Sequence, residues 1–142
     1  MTVQELMNPK VITIEPSASA ALAARLLSRY NVGALPVCTS DKRLRGIVTD
    51  RDIVLRCVAP EEDPAQTPVR DIMSRSPATL APSQDVHAAA LAMAAHQVRR
   101  MPVVENSKLV GILSLGDLAK SHRYDMEAAQ ALSEISENIV RK

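Results

Sequence analysis

A hydroxyl residue followed three positions later by an aspartate occurs twice in the chain, each time after an apolar stretch that favours a strand. The first pair is Thr49 and Asp52, and the second is Ser114 and Asp117. An ionised aspartate can accept two hydrogen bonds from a ribose diol, and the free N–H groups at a helix start attract phosphate. The two pairs therefore indicate two equivalent pockets rather than one catalytic centre.

The same spacing also has a purely structural interpretation. Thr-x-x-Asp and Ser-x-x-Asp resemble the capping box, in which two side chains satisfy backbone N–H groups at a helix start. A single pair of this kind would favour the capping role. Its repetition beside two Pro-Val strand patterns favours a ligand site, and the two roles can coexist.

The repetition extends along most of the chain. Val3 aligns with Val69 and Gly46 with Gly111, so the offset is 66 at first and 65 after one residue is lost in a turn. Each copy is predicted to form helix, strand, helix, strand, strand and helix. We therefore expect a first motif over residues 1–58, a linker over 59–68, a second motif over 69–123 and a helical tail over 124–142.

Short strands are predicted at residues 11–14 and 78–80, ahead of the second strands that contain Pro36 and Pro102. A proline inside a strand implies an edge or an opening in the backbone pairing. The resulting fold class is α+β, with a small three-stranded sheet packed with helices in each copy. One copy of about 55 residues is marginal alone, so we expect the copies to pack about a pseudo-twofold axis, with paired clefts between them.

Composition argues against several classes of protein. The chain has 142 residues, with 17 basic and 16 acidic side chains and a net charge of +1, whereas a nucleic-acid binder usually has a strong basic excess. It has two tyrosines and no Phe or Trp, so it lacks the aromatic platforms on which bases stack. No apolar run approaches the roughly 20 residues of a membrane span, and we expect a cytoplasmic protein.

No metal or redox site is predicted. Cys38 and Cys57 match no metal or redox motif, and we expect both to be core residues. His87 and His96 lie nine positions apart on one predicted helix and would point to opposite faces. We also find no pattern that indicates a nucleophile and its base, and we expect no enzymatic activity.

The two copies together resemble a known family. The segments that carry the likeness are Gly33-Ala34-Leu35-Pro36-Val37 and Gly46-Ile47-Val48-Thr49-Asp50-Arg51-Asp52. This pattern, repeated after about 65 residues, is similar to the cystathionine β-synthase (CBS) domain pair, also called a Bateman module, in a small stand-alone prokaryotic form. Only the tail lies outside the resemblance.

The resemblance implies a regulatory module that senses adenosine-containing ligands. These are AMP, ADP or ATP, with S-adenosylmethionine or NAD-type molecules as further members of the class. The nucleotide would be a regulatory ligand, with no cofactor required. Modules of this kind form homodimers and act on a partner protein, which the sequence does not identify.

The resemblance also assigns roles to residues. Asp52 and Asp117 would hold ribose hydroxyls, while Thr49 and Ser114 would face ribose or phosphate. The residues expected to line the base or cleft are Thr13, Ala34, Leu35, Pro36, Thr79, Arg100, Met101 and Pro102. Arg99 is either a phosphate contact or a solvated surface residue.

An alternative is a ligand-free dimeric interaction module whose clefts are closed by their own side chains. Arg99 and Arg100 would then fill the second slot, where the first copy carries Gly33 and Ala34. The tail would dock a partner or a second subunit through residues at helical spacing. These are Ala128, Leu132, Ile135 and Ile139.

Overall fold

The computed structural model describes residues 1–120 and 125–141, and the side chains of the last helix only over 129–137. The chain forms two compact units. The first-copy unit comprises Val11–Pro77 and Ser107–Leu109, and the second-copy unit comprises Met1–Lys10, Ala78–Asn106 and Val110–Lys142. The start of each sequence copy thus belongs to the unit built mainly from the other copy.

Small antiparallel sheets lie beside helices, so the α+β class is confirmed. In chain order the helices are α1 (Val3–Leu6), α2 (Ala20–Tyr30), α3 (Asp50–Ile53), α4 (Val86–His96), α5 (Leu115–Ala119) and α6 (Asp125–Arg141). The strands are β1 (Ala34–Cys38), β2 (Leu44–Thr49), β3 (Ser74–Arg75), β4 (Arg100–Glu105) and β5 (Lys108–Ser114). Helix α3 continues into a π-helical segment, Val54–Val58, and a 3-10 turn, Val69–Asp71, precedes β3.

The predicted first strands are reduced to one bridging residue each. Ile14 pairs in parallel with Val37, donating its N–H to Pro36 O at 3.1 Å and accepting from Cys38 N at 2.9 Å. Continuing this parallel ladder to Ile12 would require an N–H on Pro36, which proline lacks. The proline therefore opens the pairing on that side of β1, and the prediction of a full strand over 11–14 is wrong.

The second copy repeats this arrangement. Leu80 bridges Val103 in parallel, with Leu80 N donating to Pro102 O at 2.9 Å and Val104 N donating to Leu80 O at 2.8 Å. Pro102 blocks the next rung in the same way. The predicted strand over 78–80 is therefore a single bridge as well.

The third strand of the first-copy sheet is β3, which comes from the start of the second copy. The strand order is β1-β2-β3, and Gly46 of β2 lies opposite Arg75. A Cβ on Gly46 would lie 2.5 Å from Ser74 O and 2.8 Å from Met73 Sδ. Glycine is therefore required where the crossing segment lies against β2.

The second-copy sheet has two strands, β4 and β5, and not the three that we predicted. The equivalent of β3 is a single antiparallel bridge between Asn8 and Ile112. A Cβ on Gly111 would lie 2.5 Å from Met7 Sδ. The segment after α1 therefore approaches β5 as β3 approaches β2.

Each unit has its own apolar core. The largest fully buried side chains of the first-copy core are Leu35, Val37, Val48, Val69 and Ile72. Those of the second-copy core are Val3, Leu80, Val86, Met93, Met101, Leu113 and Leu118. Among the described residues, no helix has the length and apolar character needed to cross a membrane.

The tail forms α6, and the structure describes the side chains of two residues of the predicted stripe. Ile135 is buried in the second-copy core beside Ala131, whereas Leu132 is 42% exposed. The side chains of Ala128 and Ile139 lie outside the described residues. Helix α6 packs on α4 and α5 of its own chain, and docking of a partner through the stripe stays a prediction.

Candidate functional site

The first corner joins β2 to α3 in the first-copy unit, and its two polar side chains bond each other's backbone. Asp52 Oδ2 accepts from Thr49 N at 2.9 Å, and Thr49 Oγ1 accepts from Asp52 N at 3.1 Å. This is a complete capping box. Asp52 is buried, with 9% of its surface exposed. Thr49 and Asp52 therefore cap the start of α3 at this corner.

The second corner joins β5 to α5 and has the same geometry. Asp117 Oδ2 accepts from Ser114 N at 2.9 Å, and Ser114 Oγ accepts from Asp117 N at 3.1 Å. Asp117 is only half-buried. Each unit therefore contains one copy of the predicted corner.

The capping boxes leave acceptor capacity on both aspartates. A carboxylate offers about four lone-pair sites on its two oxygens, and the box uses one of them on Oδ2. Asp52 Oδ1 lies 4.0 Å from Arg56 Nη1. Asp117 Oδ1 has no hydrogen-bond partner within the part of the chain that the structure describes. Each carboxylate can therefore cap its helix and still accept from a hydroxyl pair.

The loop before β1 lies directly beside the first corner. Asp50 N donates to Gly33 O at 3.2 Å, and Ala34 is the antiparallel partner of Thr49. In the second-copy unit, Leu115 N donates to Arg99 O at 2.9 Å. The predicted pre-strand residues are thus brought to both corners.

The other residues that were predicted to line the base differ in how exposed they are to solvent. Thr13 and Thr79 are exposed and directly precede the bridging residues Ile14 and Leu80, while Ala34 is half-buried. The buried residues of this set are Leu35, Pro36, Met101 and Pro102. Leu35 and Met101 have core side chains, so only their backbone groups are available to line a base.

The two corners differ in charge. The first presents Gly33 and half-buried Ala34, followed by exposed Asp50 at the helix start. The second presents Arg99 and Arg100, both exposed, and has Leu115 at the position of Asp50. The second corner therefore offers positive charge beside its carboxylate, where the first offers small and acidic residues.

One residue at the first corner was missed by sequence reasoning. Arg56 Nη1 donates to Ile72 O at 3.1 Å and to Met73 O at 3.2 Å, besides facing Asp52. Its position four residues after Asp52 could have indicated the pairing with that acid. The contact with residues 72 and 73 depends on the exchange of segments between copies, which the sequence pattern does not reveal.

The cysteines lie in the protein interior, as predicted. Cys38 and Cys57 are both buried and unpaired. Burial raises the pKa of the Cys38 thiol to about 11, so this thiol stays protonated at neutral pH. Within the described residues, no three His, Cys, Asp or Glu side chains come together as a metal site would require.

A small depression lies between α4 and α6, and none of its lining residues belongs to either corner. It is lined by His87, Ala90, Leu91, Ala94, Gln130, Ala131 and Glu134. The chemistry of the corners, with paired carboxylates and helix starts, is absent there. The corners therefore remain the candidate site.

Comparison with known proteins places this geometry in a family. The CBS domain model matches the chain twice, over residues 3–59 and 69–123. The CBS domain-containing protein YhcV of Bacillus subtilis is 41% identical over 135 residues, which make up 95% of this chain and 95% of that protein.

Two solved structures that resemble the chain contain adenosine derivatives. The CBS domain protein PAE2072 from Pyrobaculum aerophilum, complexed with AMP, has a TM-score of 0.78 at 32% identity and covers 92% of this chain and 99% of its own. The second is the CBS domain pair of protein MJ0100, in complex with 5′-methylthioadenosine and S-adenosyl-L-methionine. It has a TM-score of 0.74 at 26% identity, and the match covers 84% of this chain and 94% of that chain. With its two family matches, the chain belongs to the CBS domain family and carries two CBS domains in tandem.

Proposed function

We propose that this protein is a regulatory sensor, not an enzyme, that binds adenosine-containing ligands at one or both strand-to-helix corners. The observation that carries the proposal is the pair of carboxylates whose Oδ1 takes no part in the capping boxes. A ribose diol would donate to this oxygen, because hydrogen bonds to an ionised acceptor are stronger than neutral ones. The base would lie against the exposed Thr13 or Thr79 and the backbone of the adjacent Pro-Val strand.

The ligand class is supported by the relatives. PAE2072 was solved with AMP and the MJ0100 domain pair with S-adenosyl-L-methionine. These ligands share an adenosine group and differ in charge, so adenosine is the part that we propose the corners of this chain recognise. We propose AMP, ADP, ATP, S-adenosylmethionine or an NAD-type molecule as the regulatory ligand, with no further cofactor required and with action in the cytoplasm.

Ligand binding should raise the melting temperature of the full chain. A ligand at 100 times its dissociation constant stabilises the folded state by about 2.7 kcal/mol. For a chain of this size, about 3 °C per kcal/mol is expected, so the shift should be about 8 °C. The measurement is thermal denaturation followed by circular dichroism, with and without each adenosyl compound.

Cytidine monophosphate serves as the matched control, because it carries the same ribose and phosphate with a different base. No shift with any adenosyl compound at millimolar concentration would contradict the proposal and favour the ligand-free interaction module. Conversion of a nucleotide by the pure protein would contradict the non-enzymatic assignment.

We also propose that the protein forms a homodimer that transmits ligand binding to a regulated protein. An exposed apolar patch on the π-helical segment supports this proposal. Val54, Leu55 and Val58 are 55%, 50% and 57% exposed. Contiguous exposed apolar side chains of this kind are typical of association surfaces.

A charge placed in this patch should dissociate the dimer. Leu55→Glu would bury an unpaired carboxylate in the proposed interface, which costs several kcal/mol, and the mass in solution should fall from dimer to monomer. Light scattering coupled to size-exclusion chromatography measures the mass. Leu91→Glu on α4, where Leu91 is 53% exposed, is the control and should keep the parent mass. A monomeric parent, or a dimeric Leu55→Glu variant, would contradict the assignment.

A further inference from the structure

Arg56 lies where the first corner meets the segment contributed by the second copy. We propose that it is a positioning residue that couples ligand occupancy at Asp52 to the order of residues 72–75. The inference rests on the proposed ligand site at the first corner and adds a route by which that site acts on the rest of its unit.

A single nitrogen makes all of the relevant contacts. Arg56 Nη1 donates to Ile72 O at 3.1 Å and to Met73 O at 3.2 Å. These two bonds use both protons of Nη1. The 4.0 Å approach to Asp52 Oδ1 is therefore an electrostatic contact without a hydrogen bond. Asp52 orients the guanidinium, and the guanidinium holds the two carbonyl groups.

The contacts close into a ring within the first-copy unit. Asp52 Oδ2 bonds Thr49 N at the end of β2. Further back along β2, Ile47 pairs with Ser74 of β3, and the preceding residue, Met73, accepts the hydrogen bond from Arg56. Energetic coupling between two places requires a contiguous physical connection of this kind.

The ring predicts that ligand binding at Asp52 stabilises the segment 72–75. Without ligand, the Arg56 side chain is 52% exposed, so holding it against two carbonyl groups costs side-chain entropy. A ligand that donates to Asp52 Oδ1 would immobilise the start of α3 and the carboxylate that orients Arg56. Ligand binding then supplies part of the free energy needed to order Arg56, so the segment 72–75 should open less often.

The second copy has no arginine at the position equivalent to Arg56. With the offset of 65, the position of Arg56 is occupied by Ser121, whose structure lies outside the described residues. A serine side chain carries one hydroxyl and no positive charge. It cannot reproduce a charged group that donates to two carbonyl groups at once, so we make the proposal for the first corner.

Amide hydrogen exchange with AMP tests the proposal. The full chain carries Asp117→Asn, so that only the first corner keeps its carboxylate, and AMP binding is measured separately by calorimetry. In this parent we expect AMP to slow exchange at residues 72–75 by about five-fold, at the lower end of measured couplings because Arg56 is half exposed. In Arg56→Gln, AMP should still bind, and the slowing should disappear.

Two further variants separate coupling from a purely structural role. Arg56→Lys keeps a positive group with three N–H donors and should retain the slowing. Arg51→Gln removes an exposed arginine from the same helical stretch and should behave as the parent. Loss of the ligand-dependent change in Arg56→Gln alone supports the proposal, even if that variant is less stable.

Three outcomes would overturn it. Equal slowing in the parent and in Arg56→Gln means that another route carries the coupling. AMP binding without slowing in the parent removes the coupling and leaves the proposed function intact. No calorimetric binding of AMP to the parent removes the proposed function at the first corner, and the coupling with it.

Discussion

Asp117→Asn should weaken adenosyl binding at the second corner and leave the first corner intact, and Asp52→Asn should do the reverse. Each substitution replaces an ionised acceptor by an amide, and hydrogen bonds to charged groups contribute about 1.5–3 kcal/mol each. Loss of one such bond lowers affinity by about 10- to 150-fold. Calorimetric titration with AMP gives the affinity and the number of sites, and the double variant should be weakened at both sites.

Asparagine is preferable to alanine because of the capping boxes. Its amide oxygen can still accept from the Thr49 or Ser114 N–H, whereas alanine would lose a cap worth about 1 kcal/mol. Asp52→Asn should cost more stability than Asp117→Asn. Asp52 also faces Arg56 at 4.0 Å, whereas Asp117 forms no ion pair within the described part of the chain.

Asp50→Asn is the matched control for charge at the first corner. Asp50 is exposed, and its Oδ1 accepts the neighbouring N–H of Arg51 at 2.8 Å. Because it belongs to no capping box, its removal should change the affinity for AMP by no more than about three-fold, the scale of a screened surface charge. If the Asp52, Asp117 and double variants all bind AMP as the parent does, the carboxylates do not hold the sugar.

The motif at the corners could be predicted because it depends on local spacing alone. Thr49 and Asp52 are three residues apart at a strand-to-helix turn, a distance at which each side chain reaches the other's N–H. Capping and ligand binding had competed as explanations of the motif. The structure shows the cap, which uses Oδ2 of each aspartate, and ligand binding through Oδ1 stays a proposal.

The first strands show how one residue can override local propensity. Residues 11–14 are rich in β-branched side chains, which favour a strand, and a strand was predicted there. To extend the pairing beyond Ile14, the N–H of residue 36 would have to donate to Ile12, and Pro36 has no N–H. The proline indicated an opening in the backbone pairing, but which neighbour would lose its strand depended on a register that only the structure supplies.

The exchange of the initial segments could not be predicted from the repeats. The copies are equivalent in pattern, so the segment after each short helix fits either sheet equally well by sequence. Val3 and Val69 align, yet Val3 lies in the second-copy core and Val69 in the first-copy core. Arg56 was missed for the same reason, because its partners Ile72 and Met73 come from the exchanged segment.

Gly46→Ala should be the most destabilising glycine substitution in the chain. The added Cβ would lie 2.5 Å from Ser74 O, a backbone atom that β3 pairing holds in place. Overpacking of this kind typically costs about 1–3 kcal/mol, and we expect the upper end because backbone must move. The melting temperature should fall by about 6–9 °C at roughly 3 °C per kcal/mol, measured by calorimetry.

Two other glycines provide graded controls for this prediction. At Gly111 the nearest atom to an added Cβ is Met7 Sδ at 2.5 Å, with Asn8 O at 3.1 Å. A flexible thioether can move aside, so Gly111→Ala should cost about 1 kcal/mol. At Gly116 an added Cβ would lie 3.5 Å from Ser114 Oγ, an ordinary van der Waals contact, and alanine should stabilise α5 by up to about 1 kcal/mol. Equal melting temperatures for the Gly46 and Gly116 variants would mean that β3 does not lie against β2 in solution, which would also remove the ring that links Arg56 to Asp52.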